Sequence, residues 1–299
     1  MTLIDEAWLA ANPLPQVDDA ADKNGRGRVL VVGGAEFVPG ALQLTGEAAL
    51  RAGCGKLQLA TVKAAAMALG VRVPEAAMIA LPADEEGEIA AQAATIILDR
   101  VNRCDVLVLG PGMSATDATR QLVADVLGAP NGALTVVLDA AALTSARELA
   151  DVIARHEGRV IMTPHPGEMA LLAGVEGDAI AADPERHARE AAERFGAVVL
   201  LKGKDSVIAA PGAEPLHCTA GGVGLATGGS GDVLAGIIGG LAARGAAPLQ
   251  AAAWGSWTHG RAGEELTRRF ANIGFLAREL LPLVPRLLAL PKERQKIGF

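Results

Sequence analysis

The 299-residue chain has no tyrosine, and aromatic residues make up only 3% of it. Surfaces that bind nucleic acid by stacking need rings, so this composition argues against them. Charge points the same way, with a net −7 and no basic run or stripe to follow a phosphate backbone. Any phosphate this protein binds must be held locally, by backbone amides and a few placed cations. Cysteine is scarce too. Cys54, Cys104 and Cys218 are odd in number and widely spaced, and no CxxC occurs, so neither a disulfide framework nor a zinc site is indicated. They read as buried, reduced thiols. The N-terminal stretch MTLIDEAWLAANPLP carries acids where a signal peptide carries bases. No apolar run approaches the ~20 residues of a membrane span. The expectation is a soluble, cytoplasmic protein that binds neither nucleic acid nor membrane.

What the chain does have is 51% hydrophobic residues and 36 glycines. Short runs that are apolar throughout end in Gly, Pro or Asp: RVLVVGG (28–34), DVLVLGPG (105–112), LTVVLDA (134–140), GRVIMTPHPG (158–167) and AVVLLKGK (197–204). Helical patterns follow, as in GALQLTGEAALRAG (40–53) and the stripe Leu122, Val123, Val126, Leu127. Strands apolar on both faces alternating with helices imply an α/β fold with a mostly parallel central sheet. DSVIAAP (205–211), close behind a strand, reads as the return arm of a hairpin and makes the sheet mixed. DEEGEIA (84–90) reads as a surface loop. No linker divides the chain, which reads as one domain over 1–299 with a helical N-terminal arm over 1–22.

In such sheets ligands bind beyond the carboxyl ends of the strands. ATGGSGDVLAGIIGG (226–240) places Gly228, Gly229, Ser230 and Gly231 before Asp232 and an apolar helix. Successive small residues at a helix start leave amides free to converge on an anion, and the helix dipole adds to them. Asp232 reads either as a helix cap or dipole partner or as a general base. GxxxxGK[ST] is absent, so this is not a P-loop. Lys202 and Lys204, around Gly203 and followed by Asp205 and Ser206, form either an ordinary solvated turn or a nucleotide-facing loop. In TPHPGE (163–168), His165 is clamped between two prolines, and Glu168 falls in a helix's first turn. The imidazole reads as either structural or ligand-binding. Gly110, Gly112 and Ala115 mimic a dinucleotide fingerprint with Asp139 at the next strand end, but the gap exceeds the ~20-residue spacing of that motif. His156 and His187 read as surface residues, His217 has no obvious partner, and His259 reads as helix packing. No HExxH or Cys/His pairing marks a transition-metal site.

Taken in order, GRGRVLVVGG, PGALQLTGEAALRAGCGKL, LVLGPGM, VVLDA, TPHPGEMALL, LKGKDSVIAAP, ATGGSGDVLAGIIGGLAARG and WTHGRAGEEL resemble the NAD(P)H-hydrate dehydratase family of the ribokinase-like superfamily. The resemblance implies a three-layer α/β/α sandwich, often tetrameric, that repairs hydrated NADH or NADPH with ADP or ATP and Mg²⁺. It implies Asp232 as catalytic base, and Gly228–Gly231 as the anion hole. Lys202, Gly203, Lys204, Asp205, Ser206 and Gly231 would hold the AMP portion of the nucleotide, and Ala41, Gly112 and His165, with Asp232, would line the hydrated dinucleotide pocket. Metal ligands are not indicated. A separate epimerase is the implied pathway partner, because only some twenty residues precede the matching region. A small-alcohol kinase of the same superfamily is the alternative. Three positions depart from the family pattern: Ser114 replaces a glycine, Ala141 an acid, and Ser230 a threonine.

Overall fold

The computed structural model describes residues 1–16, 23–129 and 132–289. Its strands, in chain order, are β1 (Thr2–Leu3), β2 (Arg28–Val32), β3 (Lys56–Val62), β4 (Ala76–Leu81), β5 (Val106–Leu109), β6 (Thr135–Leu138), β7 (Val160–Met162), β8 (Val198–Leu201), β9 (Ser206–Ala209) and β10 (Leu216–Cys218). They join one sheet in the order β1-β10-β9-β8-β7-β6-β5-β2-β3-β4. From β8 to β4 every pairing is parallel, whereas β9 runs antiparallel to both β8 and β10. The expected hairpin arm at 205–211 is therefore β9, and the sheet is mixed. The residues of β5, β7 and β8 are buried throughout, as apolar runs without alternation require.

The helices are α1 (Glu6–Ala11), α2 (Gly40–Arg51), α3 (Lys63–Arg72), α4 (Ala94–Val101), α5 (Asp117–Gly128), α6 (Ala140–Ser145), α7 (Ala150–Ala154), α8 (Pro166–Ala173), α9 (Gly177–Ala182), α10 (Pro184–Phe195), α11 (Ser230–Ala243), α12 (Pro248–Arg269), α13 (Ala277–Leu280) and α14 (Val284–Leu288). Packed on both faces of the sheet, they complete the three-layer sandwich. Helix α11 lies on β5 and β6 with α2 and α12 beside it, and α12 continues over β7 to β10. Residues 17–22 of the expected N-terminal arm lie outside those described. Within 1–16, β1 pairs with β10, and Trp254 of α12 donates its indole N–H to the Asn12 carbonyl.

One packing decision positions the site. A Cβ on Gly236 would lie 2.2 Å from the Thr45 carbonyl oxygen, and one on Gly240 would lie 2.5 Å from that of Ala49. These glycines, facing Ala48, Ala49 and Ala52, let α11 and α2 touch backbone to backbone. The contacts advance along both helices in the same sense, Leu44 with Gly229, Thr45 with Gly236 and Ala49 with Gly240. Both helix N-termini therefore open at the same edge of the sheet, the edge where the parallel strands end.

The structure corrects four local expectations. His156 and His187 are buried, not surface residues: His156 bonds the Leu127 carbonyl at 3.0 Å, and His187 falls on the apolar face of α10 with Ala188, Ala191 and Phe195. His217 has a partner, Glu185, at 2.9 Å. The segment 84–90 is no simple surface loop, because Ile89 is fully buried and Glu88 accepts the Ser114 N–H. The three cysteines are free and buried as expected, and burial pushes the Cys54 thiol up to about 12. No helix among the described residues is long and apolar enough to cross a membrane.

Candidate active site

Residues just past five adjacent parallel strands stand side by side because their own N–H groups extend the sheet ladder. Gly33 donates to Ala60, Gly110 to Val32, Asp139 to Leu109, Thr163 to Leu138 and Lys202 to Pro164. A backbone held in register on both sides gives each side chain a fixed point of departure.

The centre of this row is electrostatic. Asp139, 3% exposed at the end of β6, accepts hydrogen bonds at Oδ1 from Thr163 Oγ1 (2.7 Å) and Lys202 Nζ (3.2 Å). Lys202 Nζ also lies 3.9 Å from Glu168 Oε2. Burial raises the Glu168 pKa, and Lys202 opposes the shift. One ammonium thus faces two carboxylates, the buried Asp139 and the half-buried Glu168.

Helix α11 closes on this cluster. Gly229, at φ +88°, is its N-cap and turns the chain in the left-handed region, where a Cβ would also strike Leu44 Cδ1 at 2.5 Å. A Cβ on Gly231 would sit 3.5 Å from Lys202 Nζ and 4.0 Å from Asp139 Oδ2, while one on Gly228 would meet nothing within 4 Å. The glycine run therefore borders open space on one side and Lys202 on the other. No side chain caps this helix, so Asp232 makes no capping hydrogen bond, while its place in the first turn still suits the helix dipole. Burial pushes its carboxyl up to about 6, with Asp139 adding to the shift and Lys202 opposing it.

Around this centre the remaining expected residues divide. His165 caps α8: its Nδ1 accepts from the N–H groups of Gly167 (3.0 Å) and Glu168 (3.3 Å), and its own N–H donates to Glu168 Oε2 (2.8 Å). With Nδ1 engaged, a neutral ring carries its proton on Nε2, which lies 3.6 Å from Glu168 Oε1 in a side chain that is 56% exposed. Structural and ligand-binding roles of His165 are therefore compatible. Ala41, at the start of α2, meets Gly112, where a Cβ would approach both Ala41 Cβ and the Val38 carbonyl at 2.8 Å. Gly203, Lys204 and Asp205 stand exposed in the β8–β9 turn, closed by a 3.3 Å bond from the Gly203 N–H to Ser206 Oγ. Of the two lysines, it is Lys202 that reaches the carboxylates. The dinucleotide-fingerprint reading is overturned, since α5 begins only at Asp117, capped by Thr116, and no helix opens on Gly110 or Gly112.

Sequence reasoning left Asp139, Thr163 and Glu168 outside the site. The one signal for Asp139 was an acid ending an apolar strand. His259, read as packing, bonds Ser230 Oγ at 2.9 Å.

The family model of NAD(P)H-hydrate dehydratase matches residues 29–286. The chain belongs to the NAD(P)H-hydrate dehydratase family. It is 46% identical over 285 residues to the ADP-dependent (S)-NAD(P)H-hydrate dehydratase of Xanthomonas campestris, covering 94% of each chain. It is 38% identical to the bifunctional NAD(P)H-hydrate repair enzyme of Moorella thermoacetica, over 96% of this chain but only 53% of that one. Among solved structures, the ADP/ATP-dependent NAD(P)H-hydrate dehydratase of Bacillus subtilis, co-crystallized with ATP/Mg²⁺, superposes with a TM-score of 0.78 at 28% identity, over 96% of this chain and 97% of that one. The fold is the ribokinase-like one. The expected family and the three-layer architecture both hold.

Proposed function

We propose that this dehydratase-family protein restores NADH or NADPH from its (S)-hydrate, using ADP or ATP to phosphorylate the ring hydroxyl and then eliminating phosphate. The observation that carries the reading is Asp232: a half-buried carboxylate raised to about 6 in the first turn of α11, at the mouth of a glycine nest and beside Lys202. A base with that pKa is ionised at neutral pH yet more basic than an ordinary aspartate. It takes the hydroxyl proton as the oxygen bonds to the terminal phosphorus and the bridging P–O bond breaks. The Gly228–Gly231 amides, the α11 dipole and Lys202 stabilise the charge on the transferred group. The C–O bond then breaks, phosphate leaves with its electron pair, the ring nitrogen supplies the compensating push, and loss of one ring proton restores the double bond.

In this proposal the Lys202–Ser206 turn and Gly231 hold the AMP portion of the nucleotide, and Ala41, Gly112 and His165 line the dinucleotide pocket. Mg²⁺ fits the donor set on chemical grounds. It takes one or two carboxylates together with phosphate oxygens and water, and Asp139 and Glu168 supply hard oxygens beside Lys202, although no three metal-binding side chains gather among the described residues. Held by Asp139 and Glu168, the ion would neutralise charge on the phosphate oxygens. A separate epimerase that supplies the (S) epimer, assembly as a homotetramer, and a cytoplasmic location belong to the same proposal.

The test incubates the protein with Mg²⁺ and hydrated NADPH, adding ADP or ATP separately. Recovery of reduced-nicotinamide absorbance with stoichiometric phosphate release is expected. A stable phosphoester product would favour the small-alcohol kinase reading instead, and no reaction with either nucleotide overturns the proposal.

A further inference from the structure

Ser230 is the first residue of α11, 4% exposed, and its Oγ lies 2.9 Å from Nε2 of His259 on the neighbouring α12. The two residues are 29 positions apart, and only the packing of α12 against α11 brings them together. The serine sits inside the glycine nest, between Gly229 and Gly231.

A hydroxyl and a neutral imidazole can bond in either direction, and the direction sets what Ser230 offers an anion. If Nε2 accepts, the hydroxyl proton is committed to the ring, and Oγ turns lone pairs toward the nest. If Nε2–H donates, the hydroxyl proton is free to point into the nest beside the backbone amides. Lone pairs facing phosphate oxygens repel, whereas O–H···O⁻ is a short, charge-assisted bond. Occupation of the nest by an anion therefore favours the second arrangement. The ring is neutral at the pH of catalysis: burial pushes its pKa down to about 4, with the Ser230 backbone opposing the shift and the Lys202 charge adding to it. With no charge of its own, it acts through the choice of tautomer.

We propose that His259 is a positioning residue: its Nε2–H donates to Ser230 Oγ and thereby turns the serine hydroxyl proton onto the transferred phosphoryl group. Ser230 becomes a side-chain donor in an anion hole otherwise built from backbone. The inference rests on the phosphoryl-transfer reading of the site.

Two measurements test it. Side-chain ¹⁵N NMR of the wild-type protein saturated with ADP is expected to show His259 protonated at Nε2 and unprotonated at Nδ1. The opposite tautomer overturns the proposal. In single turnovers with hydrated NADPH and the active nucleotide, Ser230→Ala should slow phosphate release about 100-fold, the usual loss for one oxyanion donor. His259→Leu should cost a similar factor, and the double variant should be no slower than the worse single one. His259→Gln, whose amide N–H can reach the Nε2 position, should recover most of the rate. Nucleotide affinity should change little. Multiplicative losses in the double variant, or a glutamine no better than leucine, would overturn the pairing. Ser230→Ala removes a single oxygen, so its rate remains interpretable even where a histidine variant melts early. Should wild-type protein fail to turn over hydrated NADPH with either nucleotide, the dehydratase reading falls, and the tautomer measurement still decides the hydrogen bond on its own.

Discussion

Asp232→Asn should make the protein more stable and inactive at once. The folded-state pKa of Asp232 is raised from 3.8 to about 6, so the folded protein favours the protonated form more than the unfolded chain does. The stability linked to that shift is fully present below pH 3.8 and is lost as pH rises through about 6. Roughly two pKa units correspond to about 3 kcal/mol at most. Because the carboxylate is only half-buried, about 1–3 kcal/mol is the working figure. Asparagine is neutral at every pH and escapes this loss. The variant should therefore melt roughly 2–5 °C higher than the parent above about pH 6.5. That advantage should shrink to a constant offset as pH falls toward 4, where the parent carboxyl is protonated too. Thermal melts of both proteins without ligand, at intervals from about pH 4 to about pH 8, read this directly. Parallel assays should find phosphate release abolished while dinucleotide binding survives. A melting difference that does not vary with pH, or a parent more stable at neutral pH, would refute the argument that the site holds its base in a desolvated, unfavourable state.

Asp139→Asn keeps the Oδ1 acceptor for Thr163 but removes the charge that helps raise Asp232. The acid limb of kcat/KM against pH should move to lower pH, and an unmoved limb would show that Asp139 does not tune the base. Gly236→Ala places a Cβ 2.2 Å from the Thr45 carbonyl oxygen and should destabilise the fold by about 1–3 kcal/mol, despite a helix-propensity gain of roughly 1 kcal/mol. Thermal melts should show the drop, and turnover should fall with it as the α11 N-terminus shifts. His165→Ala loses the α8 cap, worth about 1 kcal/mol, and should also weaken binding of the hydrated dinucleotide. His165→Asn can keep the cap without the imidazole, so melts near wild type with weak binding are expected, and unchanged affinity would assign His165 to capping alone.

The central strands were legible because burial on both faces writes itself as unbroken apolar runs, as in the Val106–Leu109 and Val198–Leu201 segments. The glycine nest was legible for a related local reason: consecutive small residues before an apolar helix serve few purposes besides a close approach. By contrast, β1 spans two residues and exists only because β10 offers it an edge. His187 looked exposed in PERHAREAAERF because charged neighbours in sequence are not neighbours on a helix face; at 3.6 residues per turn it lies with Ala188 and Ala191 inside. Asp139 and Glu168 carried ordinary local explanations, a strand end and a helix first turn. What distinguishes them is Lys202, which arrives from a strand 63 positions beyond Asp139.

The sequence by itself determined the parallel α/β class, the motif order that places the chain in its family, and the nest with its adjoining acid, because each depends on residues near one another along the chain. Tertiary structure alone decided that Asp232 makes no capping bond and is partly desolvated, that Lys202 joins Asp139 and Glu168 and that His259 meets Ser230. A pKa depends on which charges and how much water surround a group. That surrounding is assembled from five strand ends and two helices only when the sheet closes its ladder and Gly236 and Gly240 let α11 settle against α2.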